Sequence, residues 1–179
     1  MYPGEALALL INGLGTFYAG VVFTRFMLQL VRADFYNPFS QFMVKATNPL
    51  LVPLRRIIPG IKGLDVAALV LMLLVIALKI ALLTFVKYGM VPNVVIFAVL
   101  LVRDTASLLI SYFSFMIVVM AISSWVNPGG YHPVTAVLYQ ICEPLLAPFR
   151  KIIPPMGGLD LTPMVVLLLL QAISALFGI

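Results

Sequence analysis

A duplicated segment rich in proline and arginine constrains this chain more than any other feature. Residues 48–65 recur without a gap at residues 143–160, every position shifted by 95. The matched positions include Pro49 with Pro144, Pro53 with Pro148, Arg55 with Arg150, Pro59 with Pro154, Gly63 with Gly158 and Asp65 with Asp160. Such a repeat predicts two copies of one structural unit, repeat 1 over residues 1–90 and repeat 2 over residues 91–179.

The environment of this unit follows from how apolar the chain is. Hydrophobic residues make up 63% of its 179 residues and charged residues only 9%, which is too little charge for a soluble domain of this size. Lys and Arg outnumber Asp and Glu by 11 to 6. In a membrane protein this excess reflects charge kept on the cytoplasmic side rather than a nucleic-acid partner. We therefore predict an all-α integral membrane protein that contacts lipid and does not bind nucleic acid directly.

Four apolar runs are predicted to cross the bilayer, at residues 6–31, 66–86, 105–125 and 161–177. The first of these runs is long enough to cross a hydrocarbon core of about 30 Å at roughly 1.5 Å of helix per residue. A further apolar run, residues 91–102, is short for a crossing. It is either an interfacial helix or the beginning of a kinked third span. The predicted fold is four transmembrane helices in two parallel tandem repeats.

Each repeat is predicted to hold a short amphipathic helix ahead of a loop rich in proline and arginine. These helices cover residues 38–47 and 133–142, and the loops cover residues 48–65 and 143–160. At about ten residues the helices are too short to span. In the first helix, one predicted face holds Phe39, Phe42, Met43 and Ala46, and the other holds Ser40, Gln41, Lys45 and Thr47. The loop prolines are predicted to prevent a long uninterrupted helix, and the loops are predicted to lie at headgroup level or to be shielded by protein.

The distribution of basic residues predicts an orientation. Seven Lys and Arg lie on the side of the two loops and two lie on the opposite side. The seven are Arg32, Lys45, Arg55, Arg56, Lys62, Arg150 and Lys151, and the two are Lys87 and Arg103. Basic loops stay cytoplasmic, so both termini are predicted to be periplasmic and the two repeats to be related by an axis along the membrane normal.

An arginine and an aspartate stand ten residues apart in each loop, Arg55 with Asp65 and Arg150 with Asp160. A folded-back loop can pair them, and each aspartate can cap the helix that follows. We favour this structural role over a binding role because aspartates at helix starts are usually caps. The alternative is one basic patch for anionic lipid head groups or a partner protein. That patch would consist of Arg55, Arg56, Arg150 and Lys151.

Two charges fall inside predicted spans, Arg25 and Lys79. Charges within a membrane mark interior or functional positions by default. Each of these two, however, lies about two helical turns from a span end and can extend its head toward an interface. We favour that extension over an ion pathway, for which Asp104 would be the nearest acidic residue. Cys142 is expected to pack rather than to react.

Motifs of known catalytic chemistry do not occur in the sequence. It has no His-Glu-x-x-His, no Gly-x-Ser-x-Gly and no phosphate-binding glycine loop, which argues against an enzyme. Its single histidine and single cysteine exclude bis-histidine haem ligation within one chain, an internal disulfide and a cysteine metal cluster. We therefore expect no enzyme activity, no metal and no cofactor.

The repeated motifs resemble those of the YggT family of bacterial inner-membrane proteins. The resemblance lies in residues 37–42 (Asn-Pro-Phe-Ser-Gln-Phe), 53–59 (Pro-Leu-Arg-Arg-Ile-Ile-Pro), 143–148 (Glu-Pro-Leu-Leu-Ala-Pro) and 157–160 (Gly-Gly-Leu-Asp). It covers both repeats, whereas relatives in cyanobacteria and plastids usually have one copy. The resemblance implies a multi-pass membrane protein without an established catalytic activity. The first copy departs from the second at Lys62, where the second has Gly157, so the two loops need not be equivalent in use.

Members of that family are associated with osmotic-stress tolerance and potassium uptake, with cell division and shape, and in plastids with nucleoid distribution and haem attachment to a b-type cytochrome. These roles share no chemistry. The resemblance therefore implies a scaffold or assembly factor, in envelope stress or cell division. The duplicated basic loop and the lack of reactive groups predict that it recruits membrane-protein partners or anionic lipid through these loops. The alternative is an ion-handling protein, for potassium or an osmotic response, with a path near Arg25 and Lys79. The sequence leaves homo-oligomerisation open.

Overall fold

The computed structural model describes residues 3–61, 63–126, 132–153 and 160–179, and the regular structure of these ranges is helical apart from one isolated bridge. The helices are α1 (Pro3–Leu30), α2 (Pro38–Ile57), α3 (Val66–Tyr88), α4 (Val94–Val126), α5 (Pro133–Arg150) and α6 (Thr162–Phe177). Repeat 1 contributes α1 to α3 and repeat 2 contributes α4 to α6. Lys62 and residues 154–159, which belong to the two predicted loops, lie outside the described residues.

Three of the helices, α1, α3 and α4, are long and apolar enough to cross a membrane. They correspond to the first three predicted spans. The fourth predicted span corresponds to α6, which has 16 residues and is about 24 Å long. That length is shorter than the hydrocarbon core of about 30 Å.

Of the two alternatives for residues 91–102, the structure agrees with the one in which they begin the third span. α4 runs without a break over 33 residues, so this apolar run and the predicted span at 105–125 form one helix. Arg103 and Asp104 therefore lie inside a long helix rather than between two shorter ones. An ion pair from Asp104 to α3 compensates part of the cost of placing that carboxylate there.

The prediction that prolines interrupt the amphipathic helices is wrong. α2 continues beyond residue 47 through Pro49 and Pro53, and α5 continues beyond residue 142 through Pro144 and Pro148. In each helix the two prolines lie four residues apart and both are exposed. Each missing N–H frees the carbonyl four residues earlier, on that same exposed side, where water or head groups can bind it. The predicted loops at 48–65 and 143–160 therefore shorten to the segments that follow α2 and α5.

The buried face of α2 agrees with the predicted one at Met43, and at Phe39 and Ala46, which pack against the core, but it differs elsewhere. Ser40, Met43, Thr47 and Leu51 are buried, whereas Phe42 is 62% exposed. Burial of Thr47 is possible because its Oγ1 donates a hydrogen bond to the Met43 carbonyl oxygen at 2.8 Å. Small hydroxyl residues thus let α2 lie close to the bundle, and the large Phe42 faces outward.

Packing within each repeat follows the same plan. α1 packs on α3 in repeat 1 and α4 packs on α6 in repeat 2, and the repeats meet where α3 contacts α4 and α2 contacts α5. The starts of α2 and α5 are joined by Asn37 Nδ2, which donates to the Pro133 carbonyl oxygen at 2.7 Å. Phe23 of α1 also packs edge-on against Tyr112 of α4, with ring centroids 4.8 Å apart. The two repeats therefore form one bundle.

Candidate functional site

An arginine–aspartate pair closes the segment between α2 and α3. Arg55, in the last turn of α2, donates from Nη2 to Asp65 Oδ2 and, at 3.4 Å, from Nε to Asp65 Oδ1. Asp65 is the N-cap of α3 and accepts a hydrogen bond from the Ala68 N–H at 3.2 Å. Gln29 of α1 accepts from Arg55 Nη2 at 3.4 Å. Arg55 thus connects α2 to α1 through Gln29 and to α3 through Asp65, at one end of repeat 1. Asp65 is only 3% exposed.

The second copy pairs its arginine twice. Arg150 Nε lies 3.0 Å from Asp160 Oδ2, and Arg150 Nη1 contacts Glu143 Oε2. Asp160 lies one position before the N-cap of α6, so the predicted cap is displaced, although Asp160 Oδ1 still accepts from the Thr162 N–H at 2.9 Å. Burial raises the pKa of Asp160, but hydrogen bonds from Thr162 and Arg150 outweigh that effect and leave the pKa below its usual value.

Glu143 is a partner that the sequence reasoning missed. Glu143 and Arg150 are seven residues apart on α5, about two turns along one helical face. That spacing brings the two side chains together only because the helix continues past Pro144 and Pro148, which the sequence pattern predicts to be interruptions. Repeat 1 has Asn48 at the corresponding position, and there Gln29 of α1 is the additional partner instead.

The four residues of the predicted basic patch divide into two kinds. Arg55 and Arg150 are engaged by carboxylates of their own repeats, whereas Arg56 and Lys151 are exposed. Next to these two stand Ile57, 79% exposed, and Ile152, 78% exposed. We call these two pairs the tips: Arg56 with Ile57 at the end of α2, and Lys151 with Ile152 just after α5. The tips occupy equivalent positions in the two repeats.

The prediction that Lys79 extends toward a membrane interface is wrong, because its side chain is buried among three helices. Lys79 is 7% exposed, and its Nζ lies 2.9 Å from Asp104 Oδ2 of α4 and donates to Thr16 Oγ1 of α1 at 3.1 Å. Its stem passes so close to α1 that a Cβ at Gly15 would lie 2.9 Å from Lys79 Cγ. Lys79 thus ties three helices together, and Gly15 and Thr16 are the features of α1 that allow it.

Asp104 reaches a cleft between α3 and α4. The Asp104 side chain is 30% exposed and lies in the wall of a cavity of about 640 Å³. The other walls are mainly apolar and include Ile80, Leu83 and Leu100, with Lys87 and Tyr88 from the end of α3. An ion pair on α3 and α4 is therefore accessible from one side.

Arg25 is also buried rather than extended to an interface. Only 5% of it is exposed, and its Cζ lies 5.3 Å from the centre of the Phe35 ring, in the segment between α1 and α2. Residues 21–28 of α1 are all buried, and α1 contacts α2, α3, α4 and α5. The enclosure leaves Arg25 beneath Phe35, which is 48% exposed.

Cys142 is fully buried on the inner face of α5. Burial raises the pKa of its thiol to about 12, with Glu143 acting in the same direction and Arg150 in the opposite one. At neutral pH the thiol is therefore protonated and enclosed, which opposes nucleophilic reactivity.

Comparison with known proteins gives a family and several relatives. A family model described as CCB3/YggT matches residues 4–86 and 95–179, ranges that fall on the two repeats. An uncharacterized protein of Pseudomonas aeruginosa is 47% identical over 171 residues, 93% of this chain and 85% of that protein. The uncharacterized protein YggT of Escherichia coli is 39% identical over 170 residues, 95% of this chain and 88% of that protein.

A shorter match is found in a plant. The protein named YlmG homolog protein 2, chloroplastic, of Arabidopsis thaliana is 33% identical over 66 residues, 37% of this chain and 26% of that protein. No solved structure matches the chain.

Proposed function

The chain belongs to the CCB3/YggT family, and we propose that it is a multi-pass scaffold of the bacterial inner membrane that has no catalytic step. In this proposal α1, α3, α4 and α6 cross the membrane and α2 and α5 lie along the cytoplasmic leaflet. Three of the four crossings have the necessary length and composition. α6 is assigned as the fourth because it packs on α4 as α3 packs on α1. Both termini are then periplasmic.

One observation supports the scaffold role above others: the two tips stand at equivalent positions, each with one exposed cation beside one exposed isoleucine. A cation beside an apolar side chain suits the boundary between head groups and acyl chains, where the cation meets anionic lipid and the isoleucine leaves water. The neighbouring Arg55 and Arg150 are held by carboxylates of the protein itself. We therefore assign lipid attachment to Arg56 and Lys151, and the positioning of the tips to Arg55 and Arg150.

The tips hold the scaffold through anionic lipid at two points of one leaflet, which leaves the outer faces of α2 and α5 in a fixed orientation for membrane-protein partners. Each cation near an anionic surface contributes about 1 kcal/mol. Two together therefore bias which lipids surround the protein without making it depend on one lipid molecule.

The test is a measurement of the lipids that co-purify with the protein. The double variant Arg56→Gln/Lys151→Gln should lose the enrichment of anionic phospholipid seen with the wild type, as measured by mass spectrometry of the extracted lipid. The matched control is Lys45→Gln/Lys87→Gln, which removes the same charge from two exposed positions outside the tips. Equal enrichment in wild type and tip variant would remove the basis of the proposal.

A second candidate function, ion handling, is favoured by the ion pair of Lys79 with Asp104. The pair is largely enclosed, yet Asp104 reaches a cleft of about 640 Å³, and ionisable residues within membrane helices often belong to ion pathways. Potassium flux into liposomes containing the purified protein separates the two functions. An ion-handling protein would show flux above empty vesicles that Asp104→Asn reduces, whereas the scaffold predicts no flux for either chain.

A further inference from the structure

The least satisfied buried polar group in the described part of the chain is the guanidinium of Arg25. The residue is 5% exposed, and its Nε and Nη1 have no hydrogen-bond partner among the described residues. Leaving a charged donor buried and unpaired costs more than leaving a neutral one, so such groups are rare and call for a partner that is not part of the chain. Arg25 is therefore a position at which a group from outside the described residues can supply the missing hydrogen bonds.

The charges around Arg25 leave it uncompensated. The charged groups that act on it among the described residues are Arg55 and Asp65, and these two are paired with each other. Gln29, one turn further along α1, is engaged by Arg55 and by the Gly63 carbonyl oxygen. The cluster formed by Arg25, Arg55, Asp65 and Gln29 therefore has a net charge of one positive unit. The ring of Phe35 offsets part of it through a cation–π contact.

The position of the cluster indicates what the ligand is. It lies near the end of α1, beside the capped start of α3, whose helix dipole adds a partial positive charge. Arginine close to a helix N-terminus is an arrangement suited to phosphate oxygens. In the proposed orientation this end of α1 is at the level of the cytoplasmic head groups, where phosphate is abundant.

We propose that Arg25 binds one anionic phosphate group, with the half-exposed Phe35 as the cover of the site. The group comes either from a phospholipid head group or from free inorganic phosphate, since both present the same oxygens. Repeat 2 has Met120 at the position of Arg25, so the protein has one such site in the described residues. The site is separate from the tips, and removal of Arg56 and Lys151 leaves it intact.

The experiment measures phosphate binding by the full chain in detergent. Native mass spectrometry with added phosphatidylglycerol counts bound lipid per chain, and a second titration uses inorganic phosphate. The wild type should hold one tightly bound phosphate group. Arg25→Gln should weaken it about ten- to a hundredfold, the equivalent of one charged hydrogen bond. Arg25→Lys, which keeps the charge, should lose less. The control is Arg32→Gln, which removes an exposed arginine at the same end of α1.

A pair of phenylalanine variants keeps the test valid if Arg25→Gln does not fold. Phe35→Ala should speed association and tighten binding because it uncovers Arg25, whereas Phe42→Ala, on the outer face of α2, should change neither. Binding dependent on Arg25 in the lipid titration identifies a head group, and binding only in the second titration identifies free phosphate. The proposal is overturned if Arg25→Gln and Arg32→Gln bind alike, or if Phe35→Ala binds as the wild type does.

Discussion

Asp65 and Asp160 occupy equivalent positions, yet the protein encloses only the first. Asp65 is 3% exposed and Asp160 is 37% exposed. Their sequence spacing from Arg55 and Arg150 indicated both pairings and a role at a helix start. It did not indicate the difference in burial, because that depends on Gln29 from α1 in one copy and on Glu143 from α5 in the other.

This difference leads to unequal effects of the same substitution. Asp65→Ala removes a helix cap and leaves a partly buried arginine unpaired, and we expect it to lower the free energy of unfolding by about 2–3 kcal/mol. Asp160→Ala removes an exposed pair and should cost no more than about 1 kcal/mol. Unfolding in mixed detergent micelles with increasing dodecyl sulfate measures both. Equal losses would mean that the burial of Asp65 contributes nothing.

Lys79 shows a limit of sequence reasoning at the residue scale. Its distance along α3 from the helix end suggested an extended side chain, whereas its actual partners come from two other helices. Gly15 is part of that arrangement, since a Cβ there would meet Lys79 Cγ at 2.9 Å. The small residues Gly15 and Thr16 indicate a close approach to α1, but they do not indicate that Lys79 makes it, because that depends on how α1 packs on α3.

Two glycines of α1 provide a matched test of that contact. Gly13 has open space around its missing Cβ, so Gly13→Ala should raise the free energy of unfolding by about 0.5–1 kcal/mol through helix propensity. Gly15→Ala should instead lower it by about 1 kcal/mol or more, because Lys79 must move away from Asp104 or Thr16. Dodecyl sulfate unfolding of the two variants decides the sign. A stabilised Gly15→Ala would contradict the close approach.

At the scale of elements, the sequence identified six segments at nearly the right places and misjudged where α2 and α5 end. The prolines were predicted to interrupt the helices. In each helix, however, the two prolines lie four residues apart, so the carbonyls that lose an N–H partner lie on one exposed side. The buried face of α2 was predicted only in part. Met43 is buried and Phe39 and Ala46 pack against the core as expected, but Phe42 is exposed and Thr47, expected on the polar face, is buried. A hydroxyl that bonds to its own helix can be enclosed, and a pattern of apolar and polar residues does not reveal it.

Adjacent leucines beyond the predicted end of α2 test its continuation. Leu51 is fully buried and Leu50 is 50% exposed. Leu51→Ala should lower the free energy of unfolding by about 2–4 kcal/mol through the cavity it leaves. Leu50→Ala should change it by about 0.5 kcal/mol or less. Similar effects at both positions would indicate that residues 48–57 do not pack as one helical face.

At the scale of the whole molecule, the duplicated motif gave the repeat, and the structure adds how the repeats meet. Asn37 joins the starts of α2 and α5, Phe23 packs on Tyr112, and Lys79 pairs with Asp104. None of these three residue pairs recurs at the equivalent positions of the other copy. The repeat in the sequence therefore does not predict the contacts. These contacts join the two repeats into one bundle. In the proposed orientation, both tips of this bundle lie at one leaflet.

The most direct test of this arrangement is labelling of Ile57→Cys and Ile152→Cys, the two exposed tip isoleucines, with a maleimide that does not cross membranes. Tyr88→Cys, 70% exposed at the far end of α3, is the opposite marker, and buried Cys142 with its raised pKa gives little background. We predict that both tip cysteines react in inverted vesicles and not in intact spheroplasts, with the reverse for Tyr88→Cys. Reaction of the two tips from opposite sides of the membrane would contradict it.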